Sequence, residues 1–84
     1  MRQATVIARI DIYDERYTDG TLENMWDGSD SDQARIDWLQ ENCACDPFTQ
    51  DMDLEFGEIL IDVPGYMVYY FDYGMNEGIE LYKL

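Results

Sequence analysis

Nineteen carboxylates and no histidine set the chemistry open to this 84-residue chain. Without an imidazole base, nucleophilic catalysis of the Ser–His or Cys–His kind is excluded. Neither G-x-G-x-x-G nor a G-K-[ST] ending is present to cradle a phosphate. Paired carboxylates can hydrolyse glycosides, but nineteen acids produce close pairs by chance, and so short a chain offers little volume for a substrate cleft. The expectation is a protein that is not an enzyme. Asp51, Asp53 and Glu55 fit positions 1, 3 and 5 of a calcium loop. Position 6 is then Phe56, Gly57 comes one place late, and Asp62 stands where Glu is wanted. The acidic run from Asp27 to Asp32 reads better as a helix cap. Cys43 and Cys45 lack the further ligands of a zinc site and are too close for an unstrained disulfide, so they read as free thiols. No metal and no cofactor is expected.

What remains is the charge itself. Twelve Asp and seven Glu against five basic residues leave a net charge of -14, and Lys83 is the only lysine. Such self-repulsion costs folding stability and points to a strongly positive partner. Disorder is excluded because 46% of residues are apolar and 14% aromatic, enough for one small core. The densest acidic stretch holds Asp27, Asp30, Asp32, Asp37, Glu41, Asp46, Asp51, Asp53 and Glu55, with Arg35 as its only base. These nine are the candidate partner-binding residues. Carboxylates lie about 6.5–7 Å apart at i, i+2 on a strand and about 5–6 Å apart at i, i+4 on a helix. Those separations are comparable to phosphate spacing along a DNA strand. A rigid array of this kind can occupy lysines and arginines that normally hold nucleic acid. Trp26, Trp38 and seven tyrosines supply further anchors for an interface.

The elements that position these acids follow from periodicity. Ala4 to Tyr13 alternates as a half-buried strand, with Val6, Ala8, Ile10 and Ile12 on one face. Asp19-Gly20 signals a tight turn, and Thr21 to Trp26 fits a short strand or a helical turn. Ser29 with Asp32 approximates a capping box. It opens a helix from about Asp30 to Cys43 that buries Ile36, Leu39 and Cys43 and is stopped by Asp46-Pro47. Asp30, Asp37 and Glu41 then share its outer face, with Asp32 close by. A β-meander follows: a strand centred on Glu58 to Ile61, a type II turn at Pro64-Gly65, a strand from Tyr66 to Tyr73 buried on both faces, a flexible connection from Gly74 to Gly78, and a last strand from Ile79 to Leu84. The fold class is α+β, one domain over residues 1–84, with a curved antiparallel sheet of four to five strands and one helix packed on a face.

No apolar run approaches the ~20 residues that span a bilayer, and the N-terminus shows no signal-peptide pattern, so a cytoplasmic protein without membrane contact is expected. In size, charge sign, α+β pattern and absence of a catalytic set, the chain resembles small acidic inhibitors that phages and mobile elements direct against host defence. These are the anti-CRISPR and antirestriction proteins, several of which are DNA mimics. The resemblance is one of class and carries no family's residue positions onto this sequence. It implies a basic nucleic-acid-binding partner, such as a CRISPR effector or restriction enzyme, no direct contact with nucleic acid, and a monomer or homodimer. Two other readings stand beside it. A surplus of Asp over Glu with one lysine also suits a halophile's housekeeping protein, and an acidic antitoxin-like regulatory module would need no likeness to DNA.

Overall fold

The computed structural model describes residues 3–28, 30–52 and 54–84, apart from the side chains of Met25 and Asp27. Five strands form one antiparallel sheet in the order β2-β1-β5-β4-β3. They are β1 (Gln3–Asp11), β2 (Ala44–Asp51), β3 (Gly57–Val63), β4 (Tyr66–Asp72) and β5 (Glu77–Lys83). Between β1 and β2 come three helices, α1 (Glu15–Thr18), α2 (Thr21–Asp27) and α3 (Asp32–Asn42). The expected α+β sheet is present, with three short helices on its face in place of one.

Alternation along the strands builds two cores. On the helical face, Ile36 and Leu39 of α3, Leu22 of α2 and the C-cap Cys43 meet Ala8, Ile10, Ile61, Val68, Ile79 and Leu81. On the other face, Ala4, Val6, Met67, Tyr69, Phe71 and Tyr82 pack together with Met52. The apolar positions of β1 therefore do not share one face, as its period-2 pattern predicts. The register shifts between Val6 and Ala8 against both neighbouring strands. This bulge sends Val6 to one core and Ala8 and Ile10 to the other, because one extra residue inverts every later side chain.

The segment after α3 is a further departure. Asp46-Pro47 does not stop the helix, since the chain has already left it at Cys43, whose N–H still bonds the Leu39 carbonyl. Asp46 and Pro47 lie within β2, an edge strand. Val6 pairs with Phe48 and Ala8 with Ala44, so residues 45–47 lie opposite Ile7 alone. An edge and a bulge are where proline, which lacks an N–H, can sit in a sheet. Thr21 to Trp26 takes the helical alternative, entered through Gly20 at φ +89°. The Ser29 capping box lies outside the described residues; Ser31 caps α3, its Oγ accepting from the Ala34 N–H at 3.1 Å, a contribution of about 1 kcal/mol.

The meander β3-β4-β5 is as expected, except that β5 already opens at Glu77, so Gly78 belongs to the strand, paired with Asp11 and Phe71, and not to the connection. Gly65 at φ +88° suits the third position of a type II turn, and Gly78 through Tyr82 are all buried. Because β2 and β3 are opposite edges, the link between them must pass over the sheet. Four interstrand gaps of ~4.8 Å make about 19 Å when flat. Six residue steps reach only about 20 Å when fully extended, and Leu54–Phe56 form a compact 3₁₀ turn. The sheet therefore curves to let Met52 reach the second core. Most tyrosines serve this packing: Tyr69 and Tyr82 are buried and Tyr17, Tyr66 and Tyr70 half-buried, while Tyr13 and Tyr73 are exposed.

Candidate functional site

Helix α3 turns Ile36 and Leu39 inward and leaves Asp32, Gln33, Asp37, Glu41 and Asn42 exposed. Gln33 Nε2 donates to Asp37 Oδ1 at 2.8 Å, which fixes that carboxylate on the outer face. Asp30, also exposed, precedes the Ser31 cap. From Asp32 to Glu41 the helix rises about 13.5 Å. One DNA strand presents about four phosphates over that length, at ~3.4 Å each. Asp37 and Glu41 lie one turn apart on the outer face of α3. Asp32, in the first turn, is about 140–180° around the axis from them, and Asp30 precedes the helix, so the expected shared face holds for Asp37 and Glu41 alone.

The basic residues explain why this surface stays negative. Residues 11–42 contain ten acids and two bases, Arg16 and Arg35. Both guanidiniums are used internally. Arg35 Nη2 donates to the carbonyls of Trp26 (2.7 Å) and Gly28 (3.3 Å), and its Nη1 lies 3.7 Å from Asp32 Oδ1. The Arg35 guanidinium also lies over the Trp26 ring, 5.5 Å from its centre, clamping α2 to α3. Arg16 grips both oxygens of Asp14 through Nε (3.0 Å) and Nη2 (2.9 Å), and Nη1 donates to the Asn42 carbonyl at the end of α3. Asp14 in turn caps α1 by accepting from the Arg16 N–H at 2.9 Å.

These bonds from Arg16 hold the Asp14 carboxyl down at about 2. Its folded value lies below the unfolded one, so the stabilisation is present above pH ~4 and is lost as pH falls toward 2. Asp14→Ala is expected to cost about 1–2 kcal/mol at pH 7, the cap and a partly screened pair together. Thermal melts should show that gap narrowing at pH 2. An equal gap at both pH values would contradict the assignment.

The remaining candidates are dispersed. Asp46 and Asp51 are exposed on β2, the edge strand against which α3 packs. Glu55 is exposed in the 3₁₀ turn, against β3 and β4 at the far edge, so it does not join the α3 array. The side chain of Asp27 and the whole of Asp53 lie outside the described residues. The nine candidates leave out the acids that precede α3 in the chain, namely Asp11, Asp14, Glu15, Asp19 and Glu23. Five acids within thirteen residues are the signal that marks them. Thr21 donates to Asp19 through its hydroxyl (2.6 Å) and its N–H (2.8 Å), lowering the Asp19 pKa.

One acid is turned away from solvent. Glu80 is buried in the non-helical face, where Gln50 Nε2 donates to it at 3.2 Å, and burial pushes its pKa up. Both cysteines are free thiols, and burial raises the pKa of each. Among the described residues no group of three or more Cys, Asp or Glu side chains is arranged to hold a metal ion. None of their helices is long and apolar enough to cross a membrane. No family model matches the chain, and comparison with curated proteins and with solved structures likewise gives no match. Function must therefore be argued from the geometry.

Proposed function

We propose that this chain is a non-enzymatic inhibitor that occupies the basic nucleic-acid-binding surface of a host defence protein or complex, by likeness to DNA. It would act in the host cytoplasm, in the manner of anti-CRISPR or antirestriction proteins. The observation that supports this reading is that Arg16 and Arg35 are engaged by groups of the chain itself while Asp30, Asp32, Asp37 and Glu41 stay exposed. A solvated acidic surface needs no such arrangement. Here the two cations tie the helices to one another through Asp14, Asp32 and backbone carbonyls, and rigidity limits the entropy lost on binding.

The excess of Asp over Glu and the single lysine favour halophilic adaptation as a second reading. One experiment separates the two. The tagged protein is used to capture partners from a host-type lysate, washed in rising salt and challenged with excess duplex DNA. Mimicry predicts a nucleic-acid-binding partner that both treatments release. Failure to retain any partner, together with a fold that melts when salt is withdrawn, would favour adaptation to brine.

A further inference from the structure

Beside the acidic array, the helical layer and the sheet leave a cavity of about 280 Å³ between them. Leu60 and Ile79 of the sheet line it together with three half-buried rings, Tyr17 from α1, Trp26 from α2 and Tyr70 from β4. Glu23, exposed on α2, also lines it. The Tyr70 hydroxyl donates to a carboxylate oxygen of Glu77, and the negative charge of Glu77 also acts on Tyr17. Three aromatic walls with two carboxylates close by form an environment that favours a cation. The volume is just below the ~300–1,000 Å³ of sites for drug-sized ligands, which suits a single side chain.

We propose that this cavity seats an arginine side chain of the basic partner, an inference that rests on the functional reading above. Arginine fits better than lysine because its flat, weakly hydrated guanidinium stacks on aromatic rings and can pair with a carboxylate through two bonds. The protein already makes such a contact, with the Arg35 guanidinium over Trp26 and Arg35 itself outside the cavity lining. The nearby Asp32 carboxylate and two carbonyls offset the charge of Arg35. The partner would thus meet two linked features, a set of exposed carboxylates for its basic face and a cavity for one inserted side chain.

The test uses the isolated 84-residue chain and a defined probe. Isotope-labelled protein is titrated with Nα-acetyl-arginine N-methylamide and, separately, with the neutral citrulline isostere, following the Trp26 indole N–H and the rings of Tyr17 and Tyr70. Saturable shifts at these three residues with a dissociation constant in roughly the millimolar range are expected for arginine alone. Glu23→Gln, which alters only an exposed side chain, should weaken binding roughly two- to fivefold with the rest of the spectrum unchanged. Trp26→Phe should weaken it further, since indole is the best cation acceptor. Equal shifts with the citrulline compound, or arginine shifts scattered over the exposed acids without saturation at Trp26, would overturn the inference. The titration contains no partner. Failure here with DNA still competing for the partner refutes the cavity alone; success here without such competition refutes the functional reading alone.

Discussion

Reversing Asp30, Asp37 and Glu41 to lysine together should abolish partner binding, with affinity falling by at least about a hundredfold, or ~2.7 kcal/mol. Each reversal adds two positive charges, so the net charge moves from -14 to -8, and lysines replace carboxylates opposite the partner's own cations. The fold should survive. All three residues are exposed, and the side-chain bond seen among them is the one Asp37 accepts from Gln33. A lysine before the helix start opposes the helix dipole and one near its end is favoured, so the two helix-end effects of about 0.3–1 kcal/mol each oppose one another. Circular dichroism and the thermal midpoint check the fold, and capture from lysate or titration of the purified partner checks binding. Reversing Glu58 and Asp62, exposed on the far edge strand β3, supplies the control for bulk charge. If the triple variant binds like wild type, or if the β3 pair weakens binding equally, the α3 face is not the interface.

Gly78→Val should cause a large loss of stability for a single substitution. Gly78 faces Asp11 across β1 and Phe71 across β4. A Cβ there would stand 2.3 Å from the Ile10 carbonyl oxygen and 2.7 Å from Asp11 Cα. Both are backbone atoms, so no rotamer change relieves the clash and β1 must move off β5. That exceeds the usual ~1–3 kcal/mol of overpacking, against a total stability on the order of 4–13 kcal/mol for a domain of this length. A fall of more than about 12 °C in the thermal midpoint follows, at ~4–8 °C per kcal/mol. Gly74→Ala is the comparison. Its Cβ meets nothing within 4 Å, and only the left-handed backbone at φ +86° opposes it, by ~1–2 kcal/mol. Midpoints for the two variants within 2 °C of each other would contradict the β1–β5 pairing described.

What the sequence makes legible depends on how local the cause is. The helix α3 and the β3-β4-β5 meander are readable because their signals sit close together in the chain: the break over residues 28–31 with Asp32 at a helix start, Ile36 and Leu39 at helical spacing, Pro64-Gly65 at a turn. The cap itself is not among them, since the sequence points to Ser29 and Ser31 supplies it. The bulge in β1 has no local sign, because T-V-I-A-R-I alternates smoothly and the shift shows only in the pairing, where residues 45–47 of β2 lie opposite Ile7 and Ile7 is the extra residue against β5. Strand β2 is concealed by its edge position. With one face toward solvent and acids at Asp46 and Asp51, it needs little of the apolar alternation that betrays a buried strand. The acidic character of the candidate site is plain from residue counts. The roles of Arg16 and Arg35 are not, since Arg16 reaches Asn42 across 26 residues and a sequence shows only that both are basic. The tyrosines illustrate the same limit, because Tyr70 walls a cavity and Tyr69, its neighbour, fills the opposite core.

The central claim is that this surface and nucleic acid contend for one site on a basic partner. Titrating the wild-type chain and the triple reversal variant into purified partner loaded with a labelled duplex, and following duplex release, tests it most directly. Full displacement by the wild-type chain, an apparent affinity that weakens in proportion to added free duplex, and no displacement by the variant are expected. A ternary complex in which partner, duplex and this protein remain bound together would contradict the claim.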